Sequence, residues 1–172
     1  MAIALTPILH KIKFGLMAKT WEIRAIFFCK IKMSLIKTAE TDAEILDCYE
    51  VMAELRPQYK SEEFLSQVKR QMRESKFRLV YLDASGVKAV GSYRLGEWLG
   101  GGSYLEIEDL VTKQDERSNG YGGELFDWIV NRAKQERCNQ IKLVSHVKRF
   151  GAHRFYLNKR MIIEAHYFSM AL

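Results

Sequence analysis

Hydrophobic positions change their period along this chain, and the changes mark out its elements. Leu35–Lys37 reads as a short strand. Thr41 or Asp42 can then cap a helix running to about Leu55, with Ile45, Leu46, Tyr49, Met52 and Ala53 on one face. Arg56-Pro57 ends it, because the residue before proline avoids the α region. A second helix opens at Ser61-Glu62-Glu63-Phe64 and repeats Phe64, Leu65, Val68 and Met72 at helical spacing. The pattern then turns strand-like over Arg78–Leu82 and Val87–Leu95, with a turn at Ala84-Ser85-Gly86. A glycine loop, 100–103, leads into a strand over Tyr104–Thr112.

Helical spacing returns in Leu125, Phe126, Ile129, Val130 and Ala133, placing a helix over Glu124–Arg137. A buried strand over Ile141–Val144, a short helix over Phe150–Leu157 and a strand-rich segment over Met161–Met170 complete the chain. The order β-α-α-β-β-β-α-β-α-β predicts an α+β fold with a mixed sheet.

Composition narrows this little. At 48% hydrophobic and 28% charged, 172 residues suit one globular domain with a sizeable core. No apolar run approaches the ~18 residues that span a bilayer, so stable membrane insertion is not expected. Cys29, Cys48 and Cys138 are far apart with no Cys-x-x-Cys, which argues against a disulfide framework or zinc site and for a reducing, cytoplasmic setting. His10, His146, His153 and His166 form no metal-ligand spacing, so no metal is expected.

Charge divides the chain. Residues 1–33 carry Lys11, Lys13, Lys19, Arg24, Lys30 and Lys32 against Glu22 alone, a balance of +5 out of the total +6. The remaining residues are nearly neutral, with no basic stripe of the kind nucleic acid requires. The division predicts a basic, apolar extension over 1–33 and a folded domain over 34–172. A secretory signal fits the extension poorly; a membrane-surface helix, a presequence or a leader outside the fold are its readings.

The chemistry concentrates between strand Tyr104–Thr112 and the helix after it. Arg117-Ser118-Asn119-Gly120-Tyr121-Gly122-Gly123 carries Arg-x-x-Gly-x-Gly directly into a helix. Small residues let backbone N–H groups approach a ligand, and a helix N-terminus supplies unpaired donors and partial positive charge. A phosphate-bearing ligand fits such a place. A dinucleotide fingerprint would need glycine where Leu125 stands, and no Gly-Lys-Ser/Thr loop is present.

This segment resembles the acetyl-CoA signature, (Gln/Arg)-x-x-Gly-x-(Gly/Ala), of the GCN5-related N-acetyltransferases (GNAT). Ala152-His153-Arg154-Phe155-Tyr156 is similar to the family's C-terminal motif, in the same order and at a suitable distance. The resemblance covers roughly Ser34 to Leu172. It implies a mixed, mostly antiparallel twisted sheet flanked by helices, with acetyl-CoA as acyl donor and an amine on a small molecule or peptide as acceptor, in a monomer or homodimer. Arg149 and Arg160-Met161 depart from the family's frequent Asn and Gly-Phe.

By that resemblance, the backbone of Leu110 and Val111 pairs with the pantetheine arm, and that of Ser118 to Gly123 cradles the pyrophosphate. Arg117 adds a charge-assisted bond or braces the loop. Tyr156 protonates the leaving thiolate, and the Val111 N–H is the expected oxyanion donor. An alkyl amine, with a pKa of roughly 10.4, must lose a proton before attack. Asp109 is the first candidate for that base and Glu108 the second. Strand parity puts Glu106 and Glu108 on one face and Asp109 on the other, unless a strand irregularity breaks it. Arg56, Tyr59 and Tyr93 are expected to line the acceptor pocket, with His146 and His166 the histidines nearest it. A non-catalytic acyl-CoA-binding module is the alternative reading.

Overall fold

The computed structural model describes residues 34–172; the expectations for residues 1–33 lie outside the described residues. Five strands form one sheet in sequence order: β1 (Leu35–Thr38), β2 (Phe77–Asp83), β3 (Val87–Trp98), β4 (Gly102–Thr112) and β5 (Gln140–Leu143). Neighbours are antiparallel except β4 and β5, which run parallel. A parallel pair needs a long crossover, and the helix over Tyr121–Gln135 provides it.

The helices are α1 (Asp42–Asp47), α2 (Tyr49–Ala53), α3 (Ser61–Glu74), α4 (Tyr121–Gln135) and α5 (Phe150–Asn158). The single helix expected over 42–55 is two, separated by Cys48, which keeps right-handed helical dihedrals. Thr41 caps α1. Its hydroxyl accepts from the Glu44 N–H at 3.3 Å, while Glu44 Oε2 accepts from the Thr41 and Glu40 N–H groups at 3.0 and 3.1 Å. Those backbone donors hold the Glu44 carboxyl down at about 2.

Apolar residues pack on both faces of the sheet. Leu79, Tyr81, Val90 and Val111 meet α1–α3, whereas Val80, Leu82, Leu105 and Ile107 meet Leu125, Phe126 and Ile129 of α4. Strand β2 is buried on both sides, and its run Leu79-Val80-Tyr81-Leu82 is accordingly apolar throughout.

Two expectations fail at the C-terminal end. Residues 161–172 form no strand, and Ile162, Ile163, Tyr167 and Phe168 are exposed. Strand β5 is consequently half-buried rather than buried, with Val144 exposed beyond it. Apolar, β-favouring composition is not enough to make a strand: it needs a partner, and here the chain leaves α5 through Arg160 at φ 65° without pairing to β5.

Candidate active site

One irregularity organises the centre of β4. Its pairing with β3 runs Ser92↔Asp109 and then Tyr93↔Ile107, so Glu108 is an inserted residue without a partner. A bulge of this kind lets consecutive side chains leave the same face. Leu105 and Ile107 point to the α4 side, Glu108 and Asp109 both line a cavity on the opposite side, and Val111 continues there. The parity that would separate Glu108 from Asp109 is thereby broken.

The bulge also coincides with the end of the β4–β5 ladder. The last pair is Ile107↔Leu143, while β4 runs on to Thr112. Beyond Ile107 the β5-facing edge of β4 therefore has no strand of the described residues alongside it. Which groups line that edge follows from alternation. The Lys113 N–H donates to Lys88 O, towards β3. Antiparallel pairs alternate between bonded and non-bonded, so Val111 also turns its N–H and C=O to β3, opposite Val90. Leu110 and Thr112 face the open edge. Val111, expected to present its N–H there, does not, and Thr112 was not foreseen. Counting back from the bonded Lys113 puts Val111 on the β3 side and Thr112 and Leu110 on the open side.

The open edge ends at the N-terminus of α4. Gly120 is the cap residue, at φ 90° and ψ −10°, and it brings no side-chain acceptor to the first turn of the helix. Ser118 also has positive φ, at 66°. A Cβ on Gly122 would lie 2.7 Å from Thr112 Oγ1, so only glycine lets the helix end approach the strand this closely. Arg117 braces this loop: Nε donates to Thr112 O at 3.4 Å, and Nη2 lies 3.5 Å from Glu54 Oε2. Glu54 Oε1 accepts from the Gln114 N–H, and Lys88 pairs with Glu116 at 2.6 Å, which fixes the 3-10 turn over Gln114–Glu116.

On the other side of the bulge lies a cavity of about 200 Å³ between α2, α3 and the sheet. Met52, Phe64, Val68, Phe77 and Leu79 supply apolar surface, and Arg56, Gln58, Tyr59, Gln67 and Gln71 supply polar surface. Arg56 and Tyr59 were expected here. Tyr93 is instead buried in the α4-side core, and neither His146 nor His166 lines the cavity.

Both carboxylates are held. Arg56 Nε and Nη2 each lie 2.8 Å from Asp109 Oδ1, while Ser92 Oγ donates to Oδ2 at 2.7 Å. Ser92 is fully buried. Among the described residues, Glu108 accepts from Arg94 Nε through Oε1 alone. Ser92 and Arg94 carry no motif in sequence; only the β3–β4 register brings them to the site.

Tyr156 lies on α5 among aromatic rings, 6.2 Å from Phe126 and 5.3 Å from Phe155 between centroids. Burial pushes its phenol above the ordinary range; Arg149 opposes this, and Asp109 adds to it. The buried Cys48 thiol is pushed up to about 12, mainly by burial, which keeps it protonated and unreactive. Among the described residues no group of three or more His, Cys, Asp or Glu could hold a metal ion, and no helix is long and apolar enough to cross a membrane.

Known proteins resemble this chain in sequence and in fold. The chain is 29% identical over 125 residues to the uncharacterised N-acetyltransferase YhdJ of Bacillus subtilis, covering 72% of this chain and 88% of that one. A crystal structure described as a transcriptional regulator from Bacillus halodurans superposes with a TM-score of 0.72 at 19% identity, over 81% of this chain and all of that one. An aminoglycoside N-acetyltransferase solved with CoA also reaches 0.72, at 8% identity, over 81% of this chain and 95% of its own. At those identities the two structures establish a shared fold. The model of the acetyltransferase (GNAT) family matches residues 36–160, a span that holds most of the described chain and the site residues above, and this protein belongs to that family.

Proposed function

We propose that this protein is an N-acetyltransferase that moves an acetyl group from acetyl-CoA directly to a primary amine of a small molecule or peptide. The observation that carries this reading is the alignment of three features along β4. A helix N-terminus stands at one end, an unpaired strand edge follows it, and a cavity with carboxylates opens at the bulge.

The residues suit acetyl-CoA. Ser118 to Gly123 offer backbone N–H groups for a pyrophosphate, and the helix end adds roughly 0.3–1 kcal/mol per charge. The close contact of Gly122 with Thr112 keeps that end free of bulk. Leu110 and Thr112 offer the strand-like pairing that pantetheine amides accept, with Val111 shaping the opposite side. When bound, the cosubstrate supplies an activated thioester. The Leu110 N–H, facing the open edge, is placed to hydrogen-bond the thioester oxygen as charge develops on it. Arg117 serves here as the brace of the loop.

Glu108 is the better placed of the two carboxylates to take the acceptor's proton, directly or through water. One of its oxygens has no partner among the described residues, whereas both oxygens of Asp109 are engaged. Asp109 then anchors the bulge and orients Arg56. Tyr156 donates a proton to the departing thiolate, and its raised pKa keeps it protonated at neutral pH. The reading includes a cytoplasmic location, supported by the unpaired Cys48 and Cys138.

Thiol release from acetyl-CoA, measured over a panel of amines, amino acids and peptides, tests this. Tyr156→Phe should lower kcat by roughly 10²–10⁴-fold with acetyl-CoA binding unchanged. The donor works only when protonated, so its raised pKa puts the alkaline loss of kcat higher than an ordinary phenol would. A wild-type protein that binds acetyl-CoA but acetylates nothing on the panel would overturn the enzyme reading in favour of a binding module.

A further inference from the structure

The cavity beside the bulge carries information about the acceptor. Its carboxylates come with arginines already attached: Asp109 with Arg56, and Glu108 with Arg94. The cavity therefore offers a second cationic group no unpaired anion once the reacting ammonium has met the free oxygen of Glu108. An anionic group fares differently. Arg56 uses Nε and Nη2 on Asp109, its Nη1 has no partner among the described residues, and its side chain is 46% exposed. A guanidinium presents five N–H donors in a planar fork, so one edge can hold Asp109 while another receives a second carboxylate.

Size and surface narrow the acceptor further. About 200 Å³ falls below the roughly 300–1,000 Å³ of pockets for drug-sized ligands. Much of the wall is apolar: Met52, Phe64, Val68, Phe77 and Leu79. Arg56 binds Asp109, and Asp109 directly follows Glu108 along the chain. An acceptor's amine at Glu108 and its anion at Arg56 must therefore be separated by only a few bonds.

We propose that the acceptor is a compact amino carboxylate with an apolar body, and that Arg56 selects it by binding its carboxylate. The proposal rests on the acetyltransferase reading above. It places polyamines and other polycations outside the preferred substrates, although the fold is shared with a protein that acetylates aminoglycosides by name.

Leucine and leucinamide form a matched pair that differs in the charge at issue, and 1,4-diaminobutane supplies a second cation instead. Thiol release from acetyl-CoA should show kcat/KM for leucine roughly 10–100-fold above leucinamide, the range for a charge-assisted hydrogen bond. The diamine should be no better than leucinamide. Basicity works against a spurious result at pH below the amines' pKa values, because the amide's amine is the weaker base and is more deprotonated. Arg56→Gln should bring the leucine-to-leucinamide ratio close to one, and Arg56→Lys should keep part of it. Acetyl-CoA affinity, measured by calorimetry, reports that both variants retain the donor site.

Equal or better turnover of leucinamide or the diamine by the wild type would overturn the proposal, as would a preference that persists in Arg56→Gln. Absence of thiol release with every amine tested is a different outcome: it removes the acetyltransferase reading and this inference with it. Release without a carboxylate preference removes this inference alone.

Discussion

Ser92→Ala removes one hydroxyl and tests how the bulge is held. Ser92 is fully buried, and its Oγ donates to Asp109 Oδ2 at 2.7 Å. The Asp109 side chain is only 13% exposed, so water is poorly placed to replace the lost donor. A hydrogen bond to a charged acceptor contributes about 1.5–3 kcal/mol, and leaving a buried acceptor unsatisfied costs a similar amount. At roughly 2–4 °C per kcal/mol for a domain of this size, Tm should fall by about 3–12 °C. Urea denaturation gives the free energy directly, provided the m-value is unchanged. The partner control is Asp109→Ala. In that background the serine hydroxyl has lost its acceptor, so Ser92→Ala should cost little or become favourable, which gives a coupling energy above ~1 kcal/mol. A single-mutant cost below ~0.5 kcal/mol, or an equal cost in both backgrounds, would show that Ser92 does not anchor Asp109.

Gly120→Ala should destabilise the protein by about 1–3 kcal/mol, the range for a non-glycine residue in a sparsely populated backbone region. The site is open, with nothing within 4 Å of an added Cβ, so a denaturation midpoint equal to wild type would mean that φ 90° is not needed there. Glu44 makes a pH-dependent contribution. Its folded pKa of about 2 lies below the ordinary 4.5, so the stability it adds is present above pH 4.5 and lost as pH falls towards 2. Glu44→Gln should flatten the acid side of a stability–pH curve measured with urea, and identical curves for the two proteins would contradict the capping assignment.

What the sequence discloses here depends on how local each signal is. Thr41 and Glu44 form their capping box within one helical turn, and Arg56-Pro57 stops a helix by a clash between neighbours. The Arg117–Gly123 loop is equally local, since glycine's freedom and the helix end lie within a few residues. The bulge is different. Whether Glu108 and Asp109 share a face depends on which β3 residue stands opposite each, and that register is set by long-range packing. The same holds for the open edge of β4, where Leu110 and Thr112 rather than Val111 face outwards. Arg56 was legible as the residue before proline and as an expected pocket residue, but its contact with Asp109, which spans 53 positions, was not. The tail over 161–172 fails as a strand for a related reason: composition records what a segment could pair with, and the fold decides whether it does.

The bulge at Glu108 works as a phase shift in a signal of period two. Upstream of it, odd-numbered residues such as Leu105 and Ile107 belong to the α4-side core; downstream, the odd-numbered Val111 belongs to the other. The chemistry is thus written in the count of residues as well as in their identity. A substitution at Glu108 alters one side chain, whereas deleting that residue makes the ladder regular, with Ile107 and Asp109 consecutive and on opposite faces, as their partners Tyr93 and Ser92 already are. Asp109 and Val111 would keep their faces and their pairing with Ser92 and Val90, and the strand would lose the second carboxylate together with its local bend. The two lesions separate what the glutamate does from what its place in the chain does.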